Sequence, residues 1–365
     1  LGKIKGAGVL DYVACWYVKA ADYLQENSAV RAAFVSTNSI TQGEQVGILW
    51  SYLLAHGVKI HFAHRTFQWS NEGKGVAAVH CVIVGFGLEE PEQRTIYDYG
   101  GKLKGEPTAL PAQNINPYLV DAPTMLIEKR RVPICAVSEM VNGSKPADGG
   151  NLLLNDEEKT LLLEAEPLAR KWIRPFIGAD EFINGISRWC LWLVDISPTE
   201  LRAMPKVLTR VEAVKIMRLA SKDAQTQKDA ATPTLFQKIR QPDSDYLAVP
   251  EVSSENRRFV PIGFISKEVI ASNKIQTVAG ATHFHFGILS STMHNAWMRT
   301  VCGRLESRYS YSAGIVYNNF PWPEPTEAQQ AAVAAAAQGV LDARVGFAGA
   351  TLADLYDPLT MPPTL

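Results

Sequence analysis

Apolar residues at Val13, Trp16, Tyr17, Ala20 and Leu24 recur at helical spacing, which predicts a helix over Leu10–Asn27. Ala32–Ser36 reads as a short apolar strand. Gln45–Ala55 reads as a second amphipathic helix that Gly57 ends. Val58–Ala63 alternates with the period of two of a half-buried strand. Ala77–Phe86, AAVHCVIVGF, is nearly all apolar, as expected of a strand covered on both faces. The expected order is helix, strand, helix, strand, loop, strand, an α/β rhythm. The loop, Arg65–Gly75, is too short for a crossover helix, so the last two strands should pair antiparallel.

The pattern then changes. Residues 88–117 are rich in Gly, Pro and polar side chains and read as a linker. From 118 to about 285 the pattern is irregular, with a helix expected around Glu157–Trp172 and a longer one over Pro198–Lys222. Ile288–Cys302 is helical in pattern, Tyr309–Tyr317 extended, and FPWPEP breaks the chain at Phe320–Pro325. An Ala-rich helix is expected over Thr326–Arg344.

Composition narrows the class. Apolar residues make up 47% of the 365 and charged residues 20%, ordinary values for a soluble globular protein. No apolar run is long enough to span a bilayer and no signal peptide is evident, so the expected location is cytoplasmic, with no membrane partner. Cys15, Cys81, Cys135, Cys190 and Cys302 are odd in number and sit in apolar stretches, a pattern of buried thiols and not of a disulfide framework or CxxC metal site. The net charge of −1 gives no support for a nucleic-acid partner, but residues 201–240 hold nine Lys/Arg against three Asp/Glu. A start at Leu1 on the approach to a helix suggests a piece of something longer.

Several strings carry a resemblance: LDYVACWYVKAADYL, AFVSTNSITQGEQ, HRTFQWSNEGKGVAAVHCVIVGF, INPYLVDAPTMLIE, GRLESRYSYSAGIVYNNFPWP and LADLYDPLTMPP. Together, in this order, they resemble the MmeI-like family of combined restriction–modification enzymes, adenine-specific DNA methyltransferases. The resemblance implies that residues 1–105 form the distal half of a class I (Rossmann-like) methyltransferase sheet, a doubly wound sheet closed by an antiparallel hairpin. Residues 106–320 would form a mixed α+β target-recognition domain and residues 321–365 a C-terminal helical segment. It implies double-stranded DNA as partner, a monomeric protein, and S-adenosylmethionine as cofactor of the full-length parent. The Gly-rich cofactor turn and the Asn-Pro-Pro-aromatic catalytic motif would both lie upstream of Leu1. Asn116-Pro117-Tyr118 looks like that motif with one proline lost, but it follows the last strand of the sheet. The chain alone should neither methylate nor cut DNA. A stand-alone specificity module serving a separate catalytic chain is the alternative, against which the α/β segment of residues 10–86 argues.

The candidate chemistry follows from that reading. A base must leave the duplex before its amino group can be methylated, and it is then held by stacking. In related enzymes the loop before the last strand supplies the stacking aromatic. Phe67 and Trp69, beside Asn71, Lys74 and Gly75, are the candidates, with a hairpin-capping core pair as the plain alternative. Glu306 and Arg308 stand two apart in an expected extended stretch, which would put them on one face. Glu accepts from cytosine N4 and Arg contacts guanine O6 and N7, so together they can read one C·G pair. The resemblance makes this pair base-specifying and adds Glu251, Asn273 and Lys274, with Ser310 joining Lys274. A surface ion pair is the alternative. Arg202, Lys206 and Arg210, at i, i+4 and i+8, would form a basic stripe for phosphates, or a solvated face. Lys129–Arg131, Lys171 with Arg174, and Arg257 with Arg258 are weaker candidates of this kind. His61, His64 and His80, and the strand-like His283-Phe284-His285, lack further ligands at metal spacing, so no metal is expected.

Overall fold

The structure, a computed structural model, describes residues 2, 4–69, 79–100 and 103–364. Asn71, Lys74 and Gly75 lie outside the described residues. The chain divides into two compact units, Leu1–Ile134 with Ala296–Phe320, and Cys135–Asn295 with Pro321–Leu365.

The first unit begins α1 (Ala14–Glu26), β1 (Ala32–Thr37), α2 (Gly43–Ala55), β2 (Lys59–Trp69), β3 (Val79–Gly87), β4 (Arg94–Asp98) and β5 (Thr108–Ala112). Its sheet has the order β1-β3-β2-β4-β5. Strand β3 is antiparallel to both β1 and β2, the pairing expected for the last two strands. Strands β2 and β4 are parallel, so β1, β2 and β4 all run the same way. Their carboxyl ends gather at one end of the sheet.

Tyr17, Ala21 and Leu24 of α1 and Leu49, Trp50 and Leu53 of α2 bury themselves against Val82, Val84 and Phe86 of β3. The Trp50 indole N–H donates to the Ile40 carbonyl at 2.9 Å, which satisfies the one polar atom it carries into the core. Gly85 of β3 has no side chain for a geometric reason, since a Cβ there would lie 2.1 Å from the Phe62 ring. Two expectations are corrected here. Arg65–Trp69 is strand and not loop, because Thr66-Phe67-Gln68-Trp69 alternates polar and apolar and extends the β2–β3 ladder. The expected linker contains β4 and β5, which pair antiparallel at the sheet edge.

The chain continues through β6 (Met140–Asn142), β7 (Leu153–Leu154), α3 (Asp156–Ala165), β8 (Ile173–Ile177), α4 (Ala179–Asn184), β9 (Trp189–Leu191), α5 (Pro198–Arg202), α6 (Pro205–Leu219) and α7 (Ala224–Lys228). Then come β10 (Tyr246–Pro250), β11 (Val252–Ser253), β12 (Gly263–Ile265), β13 (Ile270–Ala271), β14 (Ile275–Ala279) and α8 (His283–Ser290). Two four-stranded sheets, β12-β10-β14-β6 and β13-β8-β9-β7, organise the second unit. The helix expected over Pro198–Lys222 is two helices. Pro205 offers no N–H and holds Met204 out of the helical region at φ −127° and ψ 77°, so α5 stops and α6 starts afresh. Helix α6 buries Val207, Val211, Val214 and Arg218 along one face.

The strand expected around His283 is helix α8. Thr282 caps it, and His285 closes the reciprocal bond from the third helical position. The unit boundary falls within α9 (Thr292–Val301). The first unit resumes with the hairpin of β15 (Gly303–Leu305) and β16 (Arg308–Ser310). The extended run expected to Tyr317 instead becomes a turn of π-helix at Ala313–Tyr317. The second unit ends in α10 (Glu327–Val345), capped by Thr326, and α11 (Leu352–Tyr356). Among the described residues no helix is long and apolar enough to cross a membrane.

Candidate nucleic-acid interface

Ligands of open α/β sheets bind beyond the carboxyl ends of the strands. In the first unit a cleft of about 470 Å³ opens there. Arg65 and Thr66 of β2, Asp98 and Tyr99 at the end of β4, and Arg299 and Arg304 line it. A bulge in β2 between His64 and Phe67 bends the strand beside the cleft.

An aromatic ladder backs this region. His64 stacks on Tyr97 with ring centroids 4.3 Å apart, and Phe67 stacks on Tyr99 at 5.2 Å. The Tyr99 hydroxyl meets His64 Nδ1 at 3.0 Å. Burial lowers the His64 pKa, so this imidazole is neutral near pH 7 and adds no charge. Phe67 is half-buried in the ladder, whereas Trp69 is exposed at the strand end. Tyr99 is the ladder ring that lines the cleft, and sequence reading missed it. Its signal was present in the alternation of Thr95-Ile96-Tyr97-Asp98-Tyr99.

Asn116-Pro117-Tyr118 is a structural turn. The buried Asn116 Oδ1 accepts from the Tyr118 N–H at 3.0 Å and the Val120 N–H at 3.3 Å. The Tyr118 hydroxyl accepts from the Ile127 N–H at 3.1 Å, and burial pushes its pKa up to about 12.

Glu306 and Arg308 do not share one extended stretch, since only Arg308 lies on a strand, β16. Glu306 and Ser307 form the turn between β15 and β16, with Glu306 in the left-handed region at φ 59°. Both side chains stand in solvent, 77% and 45% exposed, and Arg308 Nη2 meets Glu306 Oε2 at 2.9 Å. An ion pair so exposed contributes at most about 1 kcal/mol, so little opposes its exchange for base contacts. Ser310 lies on β16 opposite Gly303.

In the second unit, Glu251 follows β10 and Asn273-Lys274 forms the turn into β14. Lys274 Nζ lies 3.3 Å from Glu251 Oε2, and the Glu251 N–H donates to the Lys274 carbonyl at 2.9 Å. The Asn273 carbonyl accepts from Asn142 Nδ2 at 3.3 Å. The six base-reading candidates thus include two ion pairs, one in each unit.

The basic stripe is broken. Arg202 ends α5 and Lys206 begins α6, both exposed. Arg210 is half-buried, with Nη2 on Glu158 Oε1 at 2.9 Å and Nη1 on the Asn151 carbonyl at 3.1 Å. The Asn155 backbone and then Arg210 hold the Glu158 carboxyl below its ordinary range. Arg210 ties α6 to α3.

The histidines have local partners. His61 Nε2 meets the Glu89 carbonyl at 3.0 Å, and His285 Nδ1 accepts from the Thr282 N–H at 3.1 Å. Among the described residues no group of three His, Cys, Asp or Glu is placed to hold a metal ion.

Three family models match successive parts of the chain. A family model for the MmeI DNA-methyltransferase domain matches residues 2–98, one for the MmeI target recognition domain residues 121–324, and one for the MmeI C-terminal domain residues 325–365. DNA methyltransferase A of Bacillus subtilis (strain 168) is 40% identical over 361 residues, which cover 99% of this chain and 40% of that protein. A solved structure of the Type IIL restriction-modification enzyme MmeI in complex with DNA superposes with a TM-score of 0.95 at 54% identity. That match covers 99% of this chain and 48% of the other, so the chain spans less than half the length of these two relatives.

Proposed function

The chain belongs to the MmeI family, and from that premise we propose that it is the sequence-reading and base-holding portion of a site-specific DNA methyltransferase. The reaction is methyl transfer from S-adenosylmethionine to adenine N6, within a cytoplasmic restriction–modification system and on a monomer bound to its duplex. Residues 1–105 serve as the distal methyltransferase part, 106–320 as the reader and 321–365 as a helical support. The match of the target-recognition model over residues 121–324 carries the reading.

Each part has a task that its chemistry supports. Phe67, Tyr99 and Trp69 supply the aromatic wall against which an extruded adenine stacks. Glu306, Arg308 and Ser310 in the first unit, and Glu251, Asn273 and Lys274 in the second, are the base readers, since carboxylates accept from cytosine N4 and cations approach guanine. Arg202 and Lys206 are exposed cations suited to phosphates, while Arg210 serves them less because Glu158 engages it.

Among the described residues, the turn after β1 does not fit the cofactor. The turn after β1 contributes the single Gly43, whose Cβ position faces the Gly303 backbone at 3.1 Å, and a lone glycine packed on backbone is no phosphate- or cofactor-cradling loop. Binding of S-adenosylmethionine is assigned to residues outside this chain.

Enrichment of a randomised duplex by the chain, followed by anisotropy titration, tests the reader. One preferred sequence is expected, and the double change Glu306→Lys with Arg308→Asp should alter the preference at one base pair by about 1–3 kcal/mol. An unchanged preference removes the pair from the reader, and failure to enrich any sequence removes the reading itself. Long-read mapping of modified bases in cells expressing a longer parent then tests the chemistry. Sequence-specific binding without any adenine methylation would favour the stand-alone specificity module.

A further inference from the structure

We propose that the cleft at the carboxyl ends of β1, β2 and β4 clamps one phosphodiester of the DNA backbone through Arg65, Arg304 and Arg299. The inference rests on the DNA-binding reading above and adds to it a fixed phosphate site inside the methyltransferase sheet.

Charge and volume point to this ligand. Three guanidinium groups and one carboxylate, Asp98, line the cleft, so it carries a formal charge of +2. The space of about 470 Å³ lies in the range of about 300–1,000 Å³ typical of small-molecule sites, enough for a nucleotide-sized group. Guanidinium presents a planar fork that matches phosphate oxygens in two-point contacts. A neutral His64 beside the cleft leaves this charge unaltered.

Arg65 and Arg304 are held in place before any ligand arrives. Arg65 Nε donates to the Leu119 carbonyl at 2.9 Å, and its Nη1 donates to Asp98. Arg304 Nη1 donates to the Ser307 carbonyl at 2.9 Å, its guanidinium carbon lies 4.0 Å from the Tyr309 ring centre, and its Nε is buried without a partner. Both planes, of Arg65 and Arg304, are fixed, and no bond is described for the Nη2 of either. Such preorganisation lowers the ordering cost of binding.

The connection to sequence reading is covalent. Arg304 lies on β15, two residues before Glu306 at the turn of the same hairpin. Phosphate contacts set register and base contacts specify. A clamp on Arg304 would therefore fix how far the hairpin tip advances along the groove. Arg65, on the strand that carries Phe67, would tie the same phosphate to the aromatic wall.

The test uses the chain and the duplex it enriches, in a series with single methylphosphonate linkages, each removing one charge. Anisotropy titrations should reveal one linkage, or two adjacent ones, at which neutralisation weakens wild-type binding about tenfold, the scale of a charge-assisted contact. Arg65→Gln and Arg304→Gln should show no further loss there. Their slopes of log K against log salt should fall by about one. Arg304→Lys, which keeps a cation, should retain part of the sensitivity, and this separates charge from folding. Wild type and variants losing equally at every linkage would overturn the clamp and leave the reader intact. Displacement of the duplex by low-millimolar inorganic phosphate would overturn it in favour of a free-anion site. Failure of the chain to bind any duplex would overturn both readings.

Discussion

Replacing Arg218 should cost the second unit more than any exposed ion pair could supply. The side chain is fully buried on α6. It donates to the carbonyls of Ala147, Asp229, Thr232, Pro146 and Leu235 at 2.8–3.1 Å. Burial pulls its pKa down, and Asp229 and Asp148 pull it back up. Arg218→Met has similar reach but removes this donor from all five carbonyls; those of Asp229, Thr232 and Pro146 keep the backbone N–H of Thr232, Leu235 and Gln237, while those of Ala147 and Leu235 lose the donor described for them. Each orphaned buried acceptor costs about 1–3 kcal/mol. Against that sum, the variant no longer desolvates a guanidinium, which saves several kcal/mol. The expected net loss is about 3–5 kcal/mol, as for removal of one member of a buried charged network. Arg218→Lys keeps the charge but offers three donors from one nitrogen, so at least two of the five contacts are lost and the loss should be about 1–3 kcal/mol. Urea denaturation followed by tryptophan emission reads it, because Trp172, Trp189 and Trp192 pack against the same core. Losses of about 3–5 kcal/mol are a large share of the roughly 5–15 kcal/mol of a whole domain. A loss below about 1 kcal/mol for both variants, at an unchanged slope, would refute the reasoning.

Three further outcomes are expected. Tyr99→Ala should weaken binding to a duplex whose target adenine is mispaired by about 1–3 kcal/mol, the value of one base–aromatic stack, and Trp69→Ala by less; the reverse order in anisotropy titrations would move the wall to Trp69. Burial holds the His294 imidazole at about 3 in the fold, against about 6.5 in an unfolded chain. Its contribution is therefore whole above about pH 6.5 and is lost as pH falls toward 3, by up to about 1.4 kcal/mol per pH unit. Between pH 7 and 5 wild type should lose more stability than His294→Gln, and parallel urea midpoints would count against this. Glu306→Asn should raise the melting temperature slightly, because Asn tolerates the left-handed region, while abolishing the preference for the wild-type base pair; a lower melting temperature would contradict the strain argument.

Much of the methyltransferase-like sheet was legible because burial on two faces leaves a long apolar record, as in β3, and because a short connection forces antiparallel pairing. Strands β4 and β5 escaped because each is five residues long and lies among glycines and prolines that read as linker. The broken helix after Ser197 was legible in principle, since Pro205 announced it, but the regular spacing of Arg202, Lys206 and Arg210 suggested continuity. Helix α8 was hidden by a cap of unusual chemistry, in which His285 takes the place that Glu or Gln usually fills. The cleft could not be read at all. Arg65, Asp98 and Arg304 are far apart in sequence; the common direction of β2 and β4 brings the first two to one end of the sheet, and the separate β15–β16 hairpin supplies the third.

The left-handed backbone at Glu306 bears on the proposed base reading. A non-glycine residue at φ 59° carries a strain of roughly 1–2 kcal/mol, which Gly or Asn would reduce. Glutamate in that place gains little from its neighbours, because its partner Arg308 is exposed and the pair is screened by water. Folding therefore gives no reason for this residue. The proposed base reading would give one, since the two-residue turn places Glu306 between the two strands with its carboxylate in solvent. The strain and the exposure are explained together if the turn meets a ligand that needs a rigid acceptor beside a rigid donor. Because neither side chain supports the core, both can be exchanged at small cost to the fold, so on the proposed role the reading would change while the scaffold stays the same.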